Sequence, residues 1–316
     1  MSAPGSRPPL LVVLGPTGAG KSAVAHAIAR RRGGEIVSAD AFAVYRGFDI
    51  GTAKPTTEER REVPYHLIDV CDPAETFSAG RWARDARVAI EDIARRGRLP
   101  IVCGGSGFYI EALLRGLPPG AATDPNLRSA LARWGKRNPA AAGRFLAIND
   151  TMSAGRIAPG NLRYILRATE ILLSTGVPAS ARGRPSDGWA DRWRILKVGV
   201  EPSREDLYAR IAARVQRMLN AGWDAEVRQL NASGVGPDAN GFRAIGYRDV
   251  AEWVSGRANR EETERKIVAA TRALAKRQKT WFSRERDVVR VRPEEALAAA
   301  LGVLNGETGK EGDADE

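Results

Sequence analysis

The residues Gly15-Pro16-Thr17-Gly18-Ala19-Gly20-Lys21-Ser22 have the types and spacing of a loop that holds phosphate, GxxxxGK[ST]. Glycines let the backbone curl until several N–H groups face inward toward anionic oxygens. Lys21 adds a mobile cation, and the Ser22 hydroxyl is placed to hold Mg²⁺. The loop follows the apolar run Leu10–Leu14 and precedes a helix-like stretch, Ala23–Arg31. A helix starting there adds its positive dipole end to the same spot. Such a loop holds a phosphate chain without saying whose.

Two more positions fall at the ends of strand-like runs. Asp40 lies just past Glu35–Ser38, beside the expected ligand crevice of an open α/β sheet. A carboxylate there can reach Mg²⁺ through water, bind a substrate hydroxyl or act as a base; it can equally cap a helix. Gly104-Gly105-Ser106-Gly107-Phe108-Tyr109 follows the run Leu99–Val102 and makes a second glycine-rich turn. Ser106 is a hydrogen-bond donor for a ligand or, on spacing alone, a helix cap. His26 and His66 are the only histidines. Their spacing fits neither a metal centre nor a Ser/His/Asp triad, which disfavours covalent hydrolase chemistry. No later apolar strand ends in a clear Mg²⁺-binding carboxylate pair, which weakens an ordinary ATPase reading.

The elements that must position these groups alternate. Strand signals at Leu10–Leu14, Glu35–Ser38, Leu99–Val102 and Arg194–Val200 are separated by helical stretches such as Ala23–Arg31 and Ala79–Arg96. That pattern predicts an α/β fold, a parallel sheet flanked by helices like those of phosphate-loop NTPases. Between about Pro118 and Trp193 strand signals vanish, and short helices are punctuated by Pro139, Pro159, Pro178 and Pro185. The expected organisation is a core of residues 1–117 and 194–290, a helical insertion domain at 118–193, and an acidic, disordered tail at 291–316. After Val200 comes an amphipathic helix, Arg204–Ala221, with Leu207, Ile211, Val215, Met218 and Leu219 on one side. A loop over Ser233–Gly241 follows, and the last long helix runs from about Glu261 to Phe282.

Charge narrows the choice of partner. The 316 residues carry 49 Lys and Arg against 38 Asp and Glu, a net charge of +11. The acids Glu307, Glu311, Asp313, Asp315 and Glu316 crowd the last residues, so the rest is more basic still. Such a balance points to an extended polyanion. The segment Arg265–Arg286 holds eight Lys and Arg against Glu285 alone, with Ile267, Leu274 and Trp281 recurring at sevens. One buried stripe under a basic face is expected there, suited to a phosphate backbone. Cys71 and Cys103 are too few for a disulfide framework or zinc cluster. Met1–Pro9 lack the apolar core of a secretory signal, and no run reaches 18 apolar residues, so a cytoplasmic protein away from membranes is expected.

With these residues in hand, the chain resembles the bacterial tRNA dimethylallyltransferases, also called tRNA isopentenyltransferases. The resemblance rests on Gly15–Ser22, on Ser38-Ala39-Asp40 continuing from Val44 to Pro55, and on His66-Leu67-Ile68-Asp69. It continues through Gly104–Tyr109, Arg167-Ala168-Thr169-Glu170, Ala244-Ile245-Gly246-Tyr247-Arg248 and Thr271–Phe282. It implies that the loop Gly15, Pro16, Thr17, Gly18, Ala19, Gly20, Lys21 and Ser22 holds the diphosphate of dimethylallyl diphosphate, with Mg²⁺ on Ser22. The implied acceptor is the adenosine just 3′ of the anticodon, in tRNAs reading codons that start with U. Asp40 is then the general base, Ser106 a hydroxyl near the donor's bridging oxygen, and Arg243 a group near the diphosphate. The resemblance further implies tRNA contacts at Asp40, Ala41, Phe42, Ala43, Ser106, Asp124, Arg163, Arg167, Arg243, Tyr247, Lys276, Arg277, Gln278 and Trp281, made by a monomer. Departures from the family pattern fall at Ala41, Phe42 and Ala43, at Ala158 and Gly160, at Tyr164 and at Thr169. Two readings remain as competitors: a kinase or NTPase acting on a small molecule, and an RNA-binding protein whose loop is structural.

Overall fold

The computed structural model describes residues 7–117, 124–183 and 187–306. The chain opens with β1 (Pro9–Leu14), α1 (Lys21–Arg32), β2 (Gly34–Ser38), α2 (Thr57–Glu62), β3 (Tyr65–His66), α3 (Ala79–Arg95), β4 (Leu99–Gly104) and α4 (Gly107–Arg115). Four helices follow, α5 (Pro125–Arg137), α6 (Pro139–Asn149), α7 (Thr151–Arg156) and α8 (Leu162–Thr175). The chain then runs through β5 (Arg194–Val200), α9 (Arg204–Asn220), α10 (Trp223–Ala232), α11 (Tyr247–Val254), α12 (Arg260–Phe282), β6 (Val288–Val291) and α13 (Ala296–Asn305). Two compact units result: one reaches Leu114 and resumes at Gly188, and the other spans Arg115–Asp187.

The first unit is built on a parallel sheet of six strands in the order β3-β2-β4-β1-β5-β6. Its central strands read as unbroken apolar runs because helices cover both faces. In β1 every residue from Leu10 to Leu14 is buried. Leu11 and Val13 point into the face packed by Val24, Ala25 and Ile28 of α1, joined by Ala296 and Ala300 of α13. The alternation of β1, β2 and β4 puts their carboxyl ends at one edge of the sheet, where the loops after them converge. Beneath that edge Trp82 of α3 is fully buried, stacks on Tyr109, and donates its ring N–H to the Ser38 carbonyl at 2.8 Å. That bond fixes the end of β2 two residues before Asp40.

The second unit has its own small core of Ala142, Leu146, Ile165 and Ala168, flanked by Trp134, Leu162 and Leu166. Pro125 and Pro139 sit in the first turn of their helices, where a missing N–H costs nothing. Buried Glu170 is held by Arg128 at 3.0 Å and Arg167 at 2.8 Å. Asp150 caps α7 through Ser153 N–H and also binds Ser180. These bonds hold its carboxyl down at about 2 despite burial.

Two expectations need correction. The acidic tail does not begin at residue 291: β6 ends at Val291, and α13 follows with an apolar side buried in the sheet core. Its sequence, Ala296-Leu297-Ala298-Ala299-Ala300-Leu301, has a helical apolar side that proximity to the acids obscured. Residues 307–316, which hold the acids themselves, lie outside the described residues, as does Pro185. The buried side of α12 is Thr263, Ile267, Ala275 and Phe282 rather than Ile267, Leu274 and Trp281. A straight helix drifts about 20° per heptad, so a sevenfold stripe slides off the seam.

Gly104 ends β4 so close to the neighbouring loop that a Cβ there would lie 2.1 Å from the Ala39 carbonyl oxygen. Gly104→Ala must therefore push the backbone next to Asp40. We expect it to lower unfolding free energy by about 1–3 kcal/mol, read from the urea midpoint at unchanged slope.

Candidate functional site

The loop between β1 and α1 is an anion cradle whose backbone donors at Gly18 and Gly20 are uncommitted. Gly18 and Gly20 take left-handed backbone angles, φ 83° and 95°, that turn the chain inward at no Cβ cost. Their N–H groups donate to no protein acceptor among the described residues. Gly20 is also the cap of α1 and supplies no side-chain bond, so the orphan N–H groups of the first helical turn remain open. Lys21 is buried, and its ammonium donates to the Pro16 carbonyl at 2.6 Å. Burial, with Arg214 nearby, lowers its pKa to about 8 from 10.5, while Cys103 and Asp40 pull the other way. That shift corresponds to a cost of about 3 kcal/mol for keeping the charge where it is. Cys103 is buried beside it, its thiol pushed up to about 11 by desolvation.

Around the loop lies a cavity of about 580 Å³. Thr17, Gly18, Gly20, Lys21 and Ser22 form one wall, Asp40 and Ala43 a second, and Gly104 and Gly105 a third. Asp40 accepts from Phe42 N–H at 2.8 Å and Ala43 N–H at 3.2 Å through the same oxygen, Oδ1. It therefore caps a turn and still presents a second oxygen to the cavity. The capping is of a turn and not of a helix start.

The fourth wall was not foreseen. Arg210, Arg214 and Arg217 of α9 face the phosphate loop across the cavity. Arg214 points a guanidinium N–H at the Thr17 hydroxyl, at 3.5 Å, and burial lowers its pKa while Asp40 opposes the drop. The signal was present in the sequence: spacings of four and three put the three arginines on one helix face, beside the apolar stripe Leu207, Ile211, Val215 and Leu219. Reading that helix only for its buried side hid them.

Gln278 of α12 spans the two glycine loops. Its Oε1 accepts from Thr17 N–H at 2.8 Å and its Nε2 donates to the Gly105 carbonyl at 2.9 Å. Trp281, one turn on, packs where a Cβ on Gly107 would fall, 2.2 Å away.

A fifth wall, Thr52-Ala53-Lys54-Pro55, comes from the loop before α2. Lys54, 1% exposed, is held by Asp49 at 2.7 Å, by Asp69 and by the Tyr45 carbonyl. Asp69 also pairs with Arg60 at 2.7 Å, and these two cations hold its carboxyl below the usual range against burial. Glu226 accepts from the N–H groups of Asp49 and Ile50 and from the Tyr247 hydroxyl at 2.6 Å. Burial raises the Glu226 carboxyl and drives the Tyr247 phenol far above its ordinary value. The run from Asp49 to Pro55 is thus a pinned loop that shapes the cavity.

The remaining expected site residues separate. Ser106 is half-buried and outside the cavity wall; its carbonyl accepts from Tyr109 and Ile110 N–H at the start of α4. Ala41 and Phe42 are half-buried beside Asp40. Arg243 is exposed at the end of a short 3-10 turn, Asn240–Arg243, close enough to bias Tyr45 electrostatically. Pro16, Gly15 and Ala19 support the loop from outside the cavity. One expected RNA contact needs correction, and four others already have partners within the protein. Tyr247 is 0% exposed and cannot meet RNA. The Asp124 carboxylate is committed to capping α5 through Asn126 and Leu127 N–H. Arg167 is paired with Glu170, and Gln278 and Trp281 are committed to the glycine loops. Arg163, Lys276 and Arg277 are exposed. No group of three or more His, Cys, Asp or Glu could hold a metal ion among the described residues. No described helix is long and apolar enough to cross a membrane.

Sheet order, phosphate loop and cradle define a phosphate-loop α/β protein whose cavity carries a carboxylate opposite three arginines. The model of the family described as IPP transferase matches residues 43–285, and that of isopentenyl transferase matches residues 8–69. The chain is 43% identical over 294 residues to a tRNA dimethylallyltransferase of Desulfosudis oleivorans, covering 92% of this chain and 93% of that one. It is 44% identical over 286 residues to one of Thermomicrobium roseum, covering 89% and 85%. The structure of a full-length tRNA isopentenylpyrophosphate transferase from Bacillus halodurans superposes with TM-score 0.69 at 32% identity, covering 95% of this chain and 96% of that one. The chain belongs to the IPP transferase family.

Two outcomes follow from this geometry. The unfolded chain keeps the Lys21 proton up to about 10.5 and the unliganded native state only to about 8. Native stability contributed by this group therefore rises as pH climbs through that window. An anion in the cradle restores the proton, so pyrophosphate binding just above the lower value should take up protons. Calorimetry in buffers of different ionisation enthalpy reads that uptake, and Lys21→Arg should remove it. Tyr247→Phe leaves Gly51 N–H, now 3.1 Å from the phenol oxygen, without an acceptor. We expect a loss of about 1–3 kcal/mol of stability by denaturant unfolding.

Proposed function

We propose that this chain transfers a dimethylallyl group from dimethylallyl diphosphate to the exocyclic amine of the adenosine 3′ of the anticodon in tRNA, releasing diphosphate. Membership of the IPP transferase family supports the reaction class. The names of its relatives, tRNA dimethylallyltransferases, support the donor and acceptor. The observation that carries the reading is one cavity with two chemistries. Open N–H groups, Lys21 and Arg214 stand on one side, and the unpaired Asp40 oxygen stands on the other.

Allylic substitution asks for little at carbon and leaves a highly charged group behind, so stabilising that charge is the main task. The glycine loop, Lys21 and the α9 arginines serve it. An adenine amine is a poor nucleophile, so Asp40 accepts its proton as the carbon–nitrogen bond forms. Ser22 is the residue that would hold Mg²⁺. Its hydroxyl belongs to the cavity wall beside Lys21, where a Mg²⁺ that retains its own waters would need few protein groups. When bound, it adds charge neutralisation to the departing diphosphate. Arg163 on the helical unit, and Lys276 and Arg277 on α12, are the exposed cations offered to the tRNA backbone. The adenine must leave its stack, at a cost of a few kcal/mol that such contacts offset.

Incubation with total tRNA and labelled dimethylallyl diphosphate, followed by nucleoside digestion, should place a C₅H₈ increment on one adenosine. Asp40→Ala should lower the rate constant about 10²- to 10⁴-fold while pyrophosphate still binds. Near-normal turnover in that variant would remove Asp40 as the base. Lys21→Ala should weaken donor binding and turnover together. Consumption of ATP with no labelled nucleoside would replace the reading with a kinase or NTPase.

A further inference from the structure

We propose that Gln278 sets the length of phosphate chain the cradle accepts, admitting a diphosphate and refusing a triphosphate. This inference rests on the reading of the cavity as a diphosphate cradle. Loops of the GxxxxGK[ST] type serve nucleoside triphosphates as readily as shorter chains, so something outside the loop must impose the choice.

The donors along this loop are not equivalent. Gly18 and Gly20 N–H groups are open, as is the uncapped first turn of α1. Thr17 N–H, at the outer start of the loop, is already spent on the Gln278 carbonyl oxygen at 2.8 Å. The other end of the same amide is tied to the Gly105 carbonyl at 2.9 Å. An amide held at both ends cannot swing aside without leaving two backbone groups unpaired, each worth about 1–3 kcal/mol. It stands in the cavity wall between the two glycine loops. A Cβ on Gly105 would lie 2.4 Å from Gln278 Nε2, so the approach is tight as well as bonded. The inner donors, Lys21 and the arginines suffice for two phosphoryl groups. A third meets a withdrawn donor and an occupied volume, with the Gln278 carbonyl dipole turned toward the loop. Rejection here comes from contacts built against the wrong ligand rather than for the right one.

The test uses the full chain and two inorganic probes, pyrophosphate and tripolyphosphate, titrated calorimetrically at fixed free Mg²⁺. Wild type should bind pyrophosphate at least tenfold more tightly than tripolyphosphate. Gln278→Ala, which frees the donor and the space, should bring that ratio close to one, chiefly through tighter tripolyphosphate. Gln278→Met, which frees Thr17 N–H but keeps the volume, should give an intermediate ratio and serves where the alanine variant fails to fold. A merely structural glutamine would weaken both probes alike and leave the ratio unmoved. An unchanged ratio in both variants, or a wild type without preference, overturns the proposal. The prenyl-transfer assay is separate: a chain that selects pyrophosphate yet modifies no tRNA would keep Gln278 in this role and remove the proposed reaction.

Discussion

The architecture depends on positive charge held out of water beside a single carboxylate, Asp40. Lys21 and Arg214 are both desolvated, both with lowered pKa, and both within electrostatic reach of Asp40. The first turn of α1 adds uncapped N–H groups to the same space. Left alone, such a collection is costly, and the rest of the molecule exists in part to hold it in place. The central strands, buried on both faces, supply the stiffness. A multiply charged anion in this space meets both cations and these N–H groups at once, which is the condition for stabilising a leaving group that gains charge late.

Much of this was legible in the chain. The phosphate loop announced itself because its chemistry is local: eight consecutive residues carry the donors, the cation and the turn. The strand Leu10–Leu14 was legible because burial on both faces leaves a continuous apolar run. Asp40 was legible in position but not in role, since capping a turn and facing a cavity need the same residue at the same strand end. The helical character of the insertion followed from its lost strand signals and its prolines.

What stayed hidden was set by tertiary contact. Arg210, Arg214 and Arg217 belong to the site only because α9 crosses opposite the loop, and nothing in their own segment says so. Tyr247 and Trp281 sit in stretches rich in RNA-like signals, yet one is buried against Glu226 and the other fills the space a glycine leaves. Gln278 stands among Lys276, Arg277 and Lys279 and was read with them, although its amide faces the opposite way. Composition assigns a helix to a partner as a whole; burial assigns it residue by residue. The terminal helix α13 was missed for a related reason, because acids next to it dominated the composition of the window.

The pairing of β1 with β5 has a consequence for how the chain is made. Pro9 stands opposite Arg194 and Leu14 opposite Gly199, so the strand that launches the phosphate loop, which pairs with β4 on its other side, lacks its second neighbour until residues 194–199 have been made. Contacts so distant along the chain are slow to close. The intervening helices, with their own small core and local pairings, can form while β1 still lacks that second neighbour. The apolar run Leu10–Leu14 therefore keeps one side without its partner strand over that interval of translation.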